Sequence, residues 1–331
     1  MLLRRCFERG PSRSAAYAAR ARRSLTSQSR DIPRMSYRNN PHSRPLGQTA
    51  IKLGFNLLQN HPPSPSTHPI KHTSPTMKPD YSKFSAEDTA KMEEITGIPA
   101  KAMLVQAGLV PTPPKNAFVL DNACGGGVAT SILFNTIGKT SDVRVVCGDL
   151  EEYMVKSSAE RIKTNGWNAE ATVADAQALP FPDSHFTHTV MNFGIQVIPD
   201  ATLAMKESFR VLKSGGKFGM TSWSSPGWLE SVQLGVPGFT VPPMFTNGPV
   251  ATKESITSLL TGAGFANINV QPVKFEHTDD ISRYLNYMKE VLKGPLLGEG
   301  GEKYDAYMRN RYGDGDFTLT WEAFVITAEK P

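Results

Sequence analysis

One run constrains this chain more than any other: Ala117-Phe118-Val119-Leu120-Asp121-Asn122-Ala123-Cys124-Gly125-Gly126-Gly127-Val128-Ala129-Thr130. An apolar stretch of strand character ends in an acid, three glycines follow, and a helical pattern begins at Val128. Glycine has no Cβ, so this turn can take positive φ and let a ligand approach bare main chain. The free N–H groups opening the next helix favour a negative or electron-rich ligand group. A second apolar run, Val143-Arg144-Val145-Val146-Cys147, leads to Asp149. Strand, glycine turn, helix, strand and acid outline an adenosine-binding half of a doubly wound α/β domain, the acid accepting the ribose hydroxyls.

The residues around the turn separate the adenosine cofactors. A dinucleotide fingerprint wants Gly or Ala at the last position of Gly-x-Gly-x-x-Gly, where Thr130 stands, and a Walker A loop needs a lysine that the turn lacks. Asp121 would repel a pyrophosphate. It suits a cationic tail, such as the α-amino group of a methionine moiety.

The turn resembles the first motif of the class I S-adenosylmethionine-dependent methyltransferases, matched by Asp121, Ala123, Gly125 and Gly127. Four further segments resemble that family in its order: Cys147-Gly148-Asp149-Leu150-Glu151-Glu152-Tyr153-Met154, the stretch from Val173-Ala174-Asp175-Ala176 to Asp183, Asn192-Phe193-Gly194-Ile195-Gln196, and the turn Arg210-Val211-Leu212-Lys213-Ser214-Gly215-Gly216. Together they cover residues 116–223. The resemblance implies S-adenosyl-L-methionine as cofactor, Asp149 as the ribose acid and Asp175 facing the adenine amine. Leu150, Met154, Ala176 and Asn192 would complete its site. It also implies a mostly parallel, seven-stranded Rossmann-like sheet with helices on both faces, an N-terminal helical lid, and the last two strands paired as a hairpin. Within the family, the Asp121–Gly125 string, the segment after strand four and Trp321-Glu322-Ala323-Phe324 are most similar to fungal enzymes of small specialised metabolites.

Charge divides the chain. Residues 1–76 hold 13 Lys and Arg against Glu8 and Asp31, a net of +11; of the totals of 36 and 31, residues 77–331 keep 23 against 29, a net of −6. A mildly acidic folded part argues against nucleic acid as substrate. Residues 1–30 are rich in Arg and Ser and poor in acids, the composition of a mitochondrial transit peptide, although Met35 and Met77 offer alternative starts. The expected location is therefore cytoplasmic or mitochondrial. Residues 31–80, rich in Pro, Ser and His, read as a disordered linker. The cysteines Cys6, Cys124 and Cys147 form no paired framework and no metal-ligand spacing. No apolar run reaches transmembrane length.

The expected organisation is lid helices over 81–115 and a catalytic domain over 116–331, with a substrate-side insertion at about 224–250. Tyr81 and Phe84 would line the lid, Ser85 would cap its first helix, and 95–109 would form one or two further short helices. Helices are expected over Val128–Ile137, 151–164, 201–212, 253–264 and 282–292. Strands are expected over 170–173, 186–191, 217–222, 265–273 and 317–328. Strands alternating with helices of this length imply a parallel sheet. The expected reaction is in-line methyl transfer to an O, N or S atom of a small organic acceptor. His185, His188, Glu230 and His277 are open candidates for a base, and none is assigned. Two alternatives are quinone C-methylation, which the leader favours and Gln196-Val197 disfavours, and cofactor binding without catalysis.

Overall fold

The computed structural model describes residues 86–139, 142–291 and 300–331. The leader at 1–30, the linker at 31–80 and the residues Tyr81, Phe84 and Ser85 lie outside them.

The chain order is α1 (Ala86–Gln106), β1 (Phe118–Asn122), α2 (Val128–Ile137), β2 (Arg144–Asp149), α3 (Glu152–Asn165), β3 (Ala169–Val173), β4 (Phe186–Asn192), α4 (Ala201–Val211) and β5 (Leu212–Ser225). Then follow α5 (Trp228–Gly235), α6 (Lys253–Ala263), β6 (Ala266–Asp280), α7 (Ile281–Val291), α8 (Gly301–Tyr312) and β7 (Asp316–Glu329). The seven strands form one sheet ordered β3-β2-β1-β4-β5-β7-β6. The first five are parallel, and β7 runs antiparallel between β5 and β6. Central β1 is buried on both faces, which explains why Val119 and Leu120 read as a continuous apolar pair rather than an alternation.

Local chemistry sets most helix limits. Asp200 accepts the Leu203 N–H at the start of α4, and Thr252 and Ser255 form a reciprocal capping box on α6. Gly166 and Gly264 close α3 and α6 in the left-handed conformation that a side chain would resist.

Three expectations need correction. The N-terminal region is one 21-residue helix, not short pieces, although Pro99 lies inside it. Proline removes one ladder bond. Ile95, Ala100, Met103 and Leu104 are buried on either side of it, and that packing holds both halves in one line. Strands β5 and β6 run well beyond 217–222 and 265–273. The extension of β6 exists because Lys274 to Asp280 pair with Glu322 to Asp316 of β7, a pairing some 40 residues away in sequence. Helices α5 and α8 had no expected counterpart.

The core has two parts. One fills both faces of the sheet, with Val119, Phe134 and Val145 on one side and Met205, Phe218 and Leu260 on the other. The other joins α5, α7, α8 and the far ends of β5 and β7 around Trp228, Val232, Tyr284, Met288, Tyr304, Phe317 and Trp321. Inside it, the buried hydroxyls of Ser231, Tyr304 and Tyr284 hydrogen-bond in series at 2.9 and 3.1 Å. This keeps two large polar rings satisfied within an apolar cluster.

Candidate functional site

Strand order reverses between β1 and β4: from β1 the sheet grows toward β2 and β3, from β4 toward β5. Open α/β sheets bind ligands at such a point, beyond the carboxyl ends of the strands. Both chains leaving the sheet here adopt positive φ without glycine, Ala123 at 51° after β1 and Phe193 at 58° after β4. Residues held this way cluster at functional sites. The two exits also touch: a Cβ on Gly194 would sit 2.6 Å from that of Ala123.

The glycine turn is fixed from three sides. Asp149 Oδ2 accepts the Gly125 N–H at 2.8 Å, and Arg161 donates to the Gly126 carbonyl at 2.6 Å while pairing with Glu93 of α1. A Cβ on Gly126 would fall 2.4 Å from Thr89 Cγ2, so α1 rests directly on the turn. A Cβ on Gly125 would meet nothing within 4 Å, because that residue faces the open cleft.

The acids divide into distinct tasks. Asp149, 9% exposed, also accepts the Glu151 N–H at 3.0 Å, and its pKa is raised by burial against the pull of those N–H donors. Asp121 is 1% exposed and stands behind the turn. Its Oδ2 accepts both the backbone N–H and the hydroxyl of Thr130, at 3.1 and 2.7 Å, and its Oδ1 has no protein partner. Burial pushes its pKa to about 7. Thr130 thus anchors the buried acid to the helix start. Asp175 Oδ1 accepts the Gln177 N–H at 2.9 Å, and Asn192 Oδ1 accepts the Thr221 hydroxyl at 2.7 Å.

A cavity of about 460 Å³ opens over these groups. Of the residues expected to bind cofactor, Ala123, Gly125, Asp149, Leu150, Met154, Asp175, Ala176 and Asn192 line it; Asp121 and Gly127 stand one layer behind. Leu150, an apolar side chain left 48% exposed, forms part of the wall between Asp149 and Asp175. The other end of the cavity is aromatic: Phe193, Trp223, Trp228, Phe245, Tyr287 and Trp321 line it with Met92, Met244 and Met288. Phe193 stacks on Trp223 at 4.0 Å between centroids, and Trp321 lies 5.2 Å from Trp223. Sequence reading placed a substrate side at 224–250, which supplies Trp228, Met244 and Phe245. It did not find Tyr287, Met288 or Trp321 as wall residues; these come from α7 and β7, and although Trp321 opens a segment that resembles fungal enzymes, nothing local marks any of the three as facing the cavity.

None of the four base candidates lines this cavity. His185 packs among Phe118, Phe181 and Phe186. His188 is buried within β4 against Thr187, and burial, aided by Lys217, lowers its pKa to about 4. His277 lies 3.9 Å from Glu94, with its pKa also lowered by burial. Glu230 is an exposed residue in the first turn of α5. Among the described lining residues there is no His, Lys or Arg, and the carboxylates, Asp149, Glu151 and Asp175, all stand at the Asp149 end.

The Asp149 end suits an adenosine with a short cationic tail. It offers a carboxylate for ribose hydroxyls, an apolar wall for a flat base, open main chain at Gly125 and, behind it, an unpartnered buried carboxylate oxygen on Asp121. The profile of the ubiE/COQ5 methyltransferase family matches residues 101–233. Methyltransferase afvD of Aspergillus flavus is 37% identical over 253 residues, covering 72% of this chain and 89% of that protein. The acetylaranotin bis-thiomethyltransferase of Aspergillus terreus is 30% identical over 151 residues, 45% of this chain and 50% of that one. In fold, the chain is similar to the solved YcgJ protein of Bacillus subtilis, with a TM-score of 0.50 and 16% identity over 71% of this chain and 98% of the other.

Proposed function

This chain belongs to the class I S-adenosylmethionine-dependent methyltransferases, and we propose that it methylates an oxygen, nitrogen or sulfur atom of a small, ring-bearing organic metabolite. One observation carries the reading: the cavity that begins at Asp149 ends in six aromatic side chains. Such rings bury large apolar area and prefer to stack on other rings. A protein that only bound the cofactor would need no such extension.

When bound, S-adenosylmethionine supplies a methyl group on a sulfonium, a strong electrophile with a neutral leaving group. The residues here then have three tasks. Asp149, Leu150 and Asp175 fix the adenosine, which sets the distance and angle of the reacting centre. The Phe193–Trp223 stack and Trp321 hold the acceptor ring in line, so positioning supplies much of the acceleration. The aromatic walls and α1 exclude water, which strips solvent from the nucleophile.

No base is drawn from the aromatic end. The acceptor atom would therefore arrive already ionised, as a thiolate or acidic phenolate, or neutral with a free lone pair, as an amine. The Aspergillus terreus relative is named for methylating sulfur, which supports a thiolate. Quinone C-methylation is the second reading, favoured by the ubiE/COQ5 profile match. It requires removal of a ring proton after attack, and the lining carboxylates stand at the wrong end for that step.

The test is transfer from methyl-tritiated S-adenosylmethionine to an extractable product, with naphthalene-2-thiol, 2-naphthol and 2-naphthylamine offered as probes beside transfer RNA and an unstructured polypeptide. Labelled naphthalene products are expected, the thiol fastest. Label entering only the macromolecules would overturn the proposal.

A further inference from the structure

We infer that Gln196 is a positioning residue for methyl transfer: its side-chain amide replaces a missing strand and fixes Trp223 as the wall on which the acceptor ring is aligned. The inference rests on the aromatic-acceptor reading above and adds a residue to it.

The observation begins where β4 ends. The last paired couple of β4 and β5 is Asn192 with Thr221. The chain then turns at Phe193, with φ 58°, into a short 3₁₀ turn, Gly194–Val197. Two residues further along β5, Trp223 would be left without a neighbour on that side. On its other side the register against β7 shifts between Trp223 and Ser225, so the ladder there loosens too. Gln196 fills the gap. Its Oε1 accepts the Trp223 N–H at 3.0 Å, and its Nε2 donates to the Trp223 carbonyl at 3.5 Å. A primary amide has the acceptor and donors of a peptide group, so one side chain continues the sheet by one step.

The consequence reaches the cavity, which Gln196, Phe193 and Trp223 all line. The Trp223 ring is stacked on Phe193 and flanked by Trp321 at 5.2 Å and Phe275 at 6.4 Å. Thr221 secures the other partner of the stack: its hydroxyl oxygen accepts the Phe193 N–H at 3.0 Å while donating to Asn192. Both rings are thus set through their own backbones, one by Thr221 and one by Gln196. A ring hinged on a free backbone would sample several tilts, and an acceptor stacked on it would lose its line to the methyl group.

Two substitutions separate this from a merely structural role. Gln196→Ala removes both bonds. Gln196→Glu keeps an acceptor for the Trp223 N–H, but when ionised sets an oxygen against the Trp223 carbonyl; protonation at mildly acidic pH restores the donor. Three readouts apply: amide hydrogen exchange at Trp223, affinity for S-adenosylhomocysteine by calorimetry, and turnover of naphthalene-2-thiol. For Gln196→Ala we expect Trp223 exchange at least tenfold faster, S-adenosylhomocysteine affinity within twofold of wild type, and kcat for the thiol down at least tenfold. Gln196→Glu should show the same defects at pH 8 and recover in part, relative to wild type at the same pH, as its carboxyl is protonated toward about pH 4.5, near the ordinary glutamate range. Unchanged exchange in Gln196→Ala overturns the clasp. Faster exchange with unchanged turnover overturns the positioning role. If the wild-type protein binds S-adenosylhomocysteine but methylates none of the naphthalene probes, the aromatic-acceptor reading fails and the catalytic role of Gln196 falls with it, while exchange still decides the clasp.

Discussion

Replacing Asp149 by alanine tests the cofactor site most directly. Both carboxylate oxygens are engaged before any ligand arrives, Oδ2 by the Gly125 N–H at 2.8 Å and Oδ1 by the Glu151 N–H at 3.0 Å. Each oxygen retains a lone pair for a ribose hydroxyl. A hydrogen bond to a charged group contributes about 1.5–3 kcal/mol. Loss of one such bond weakens binding about tenfold, since about 1.4 kcal/mol is a factor of ten, and loss of both about a hundredfold or more. The variant also frees the Gly125 and Glu151 N–H groups, which costs folding stability of about 1 kcal/mol, the scale of a lost helix cap. Asp149→Asn keeps one acceptor and turns an NH₂ group toward one of the two N–H donors, so its affinity should fall nearly as far. Calorimetric titration with S-adenosylhomocysteine, with thermal unfolding as control, measures both effects. A Kd for Asp149→Ala within twofold of wild type, in a protein that still unfolds cooperatively, would refute the assignment of Asp149 to the ribose.

Three other outcomes follow from the geometry. Burial holds the Asp121 carboxyl at about 7 in the folded protein, well above the ordinary carboxylate range near about 4; the native state then holds a proton that the unfolded state has released, so stability should fall as pH rises from about 4 to about 7. Urea unfolding at pH 5 and pH 8 should show that loss in wild type and little of it in Asp121→Asn, and equal slopes in both would contradict the assignment. Gly126→Ala places a Cβ 2.4 Å from Thr89 Cγ2, so a destabilisation of about 1–3 kcal/mol is expected from overpacking, relieved when Thr89→Ala is added; no relief in the double variant would mean that α1 does not rest on the turn there. Arg210 donates to the Leu179 and Phe181 carbonyls at 2.9 and 2.8 Å and pairs with Glu207 and Asp183. Arg210→Ala should loosen the chain between Asp175 and Ser184, lowering stability by about 1–3 kcal/mol through the stranded Glu207 charge and carbonyls, and proteolytic cleavage within 175–184 that is no faster than in wild type would count against this.

How much of this protein could be read from its sequence depended on how local the determining interactions are. Residues 117–130 specify strand, turn and helix within a few neighbours, because positive φ at Gly125 and Gly127 and the apolar run before them are local properties. The same holds for α2, whose expected limits match, and for α3, which closes at Gly166. Where a pairing is distant, the reading fell short: β6 continues to Asp280 only because β7 meets it there, and α1 passes through Pro99 only because the core holds Ile95 and Met103. The role of Thr130 was hidden for the same reason. In sequence it is a departure from a dinucleotide motif; in the structure its hydroxyl binds the buried carboxylate of Asp121. By itself, the sequence therefore determined a doubly wound sheet and an adenosine cradle, features written in contiguous motifs. Only the tertiary structure decided the aromatic end of the cavity, because Phe193, Trp223, Trp228, Phe245, Tyr287 and Trp321 come from six separate segments. Nothing local marks their rings as facing one cavity, and they line it together only when the second core and the Phe193–Trp223 stack gather them.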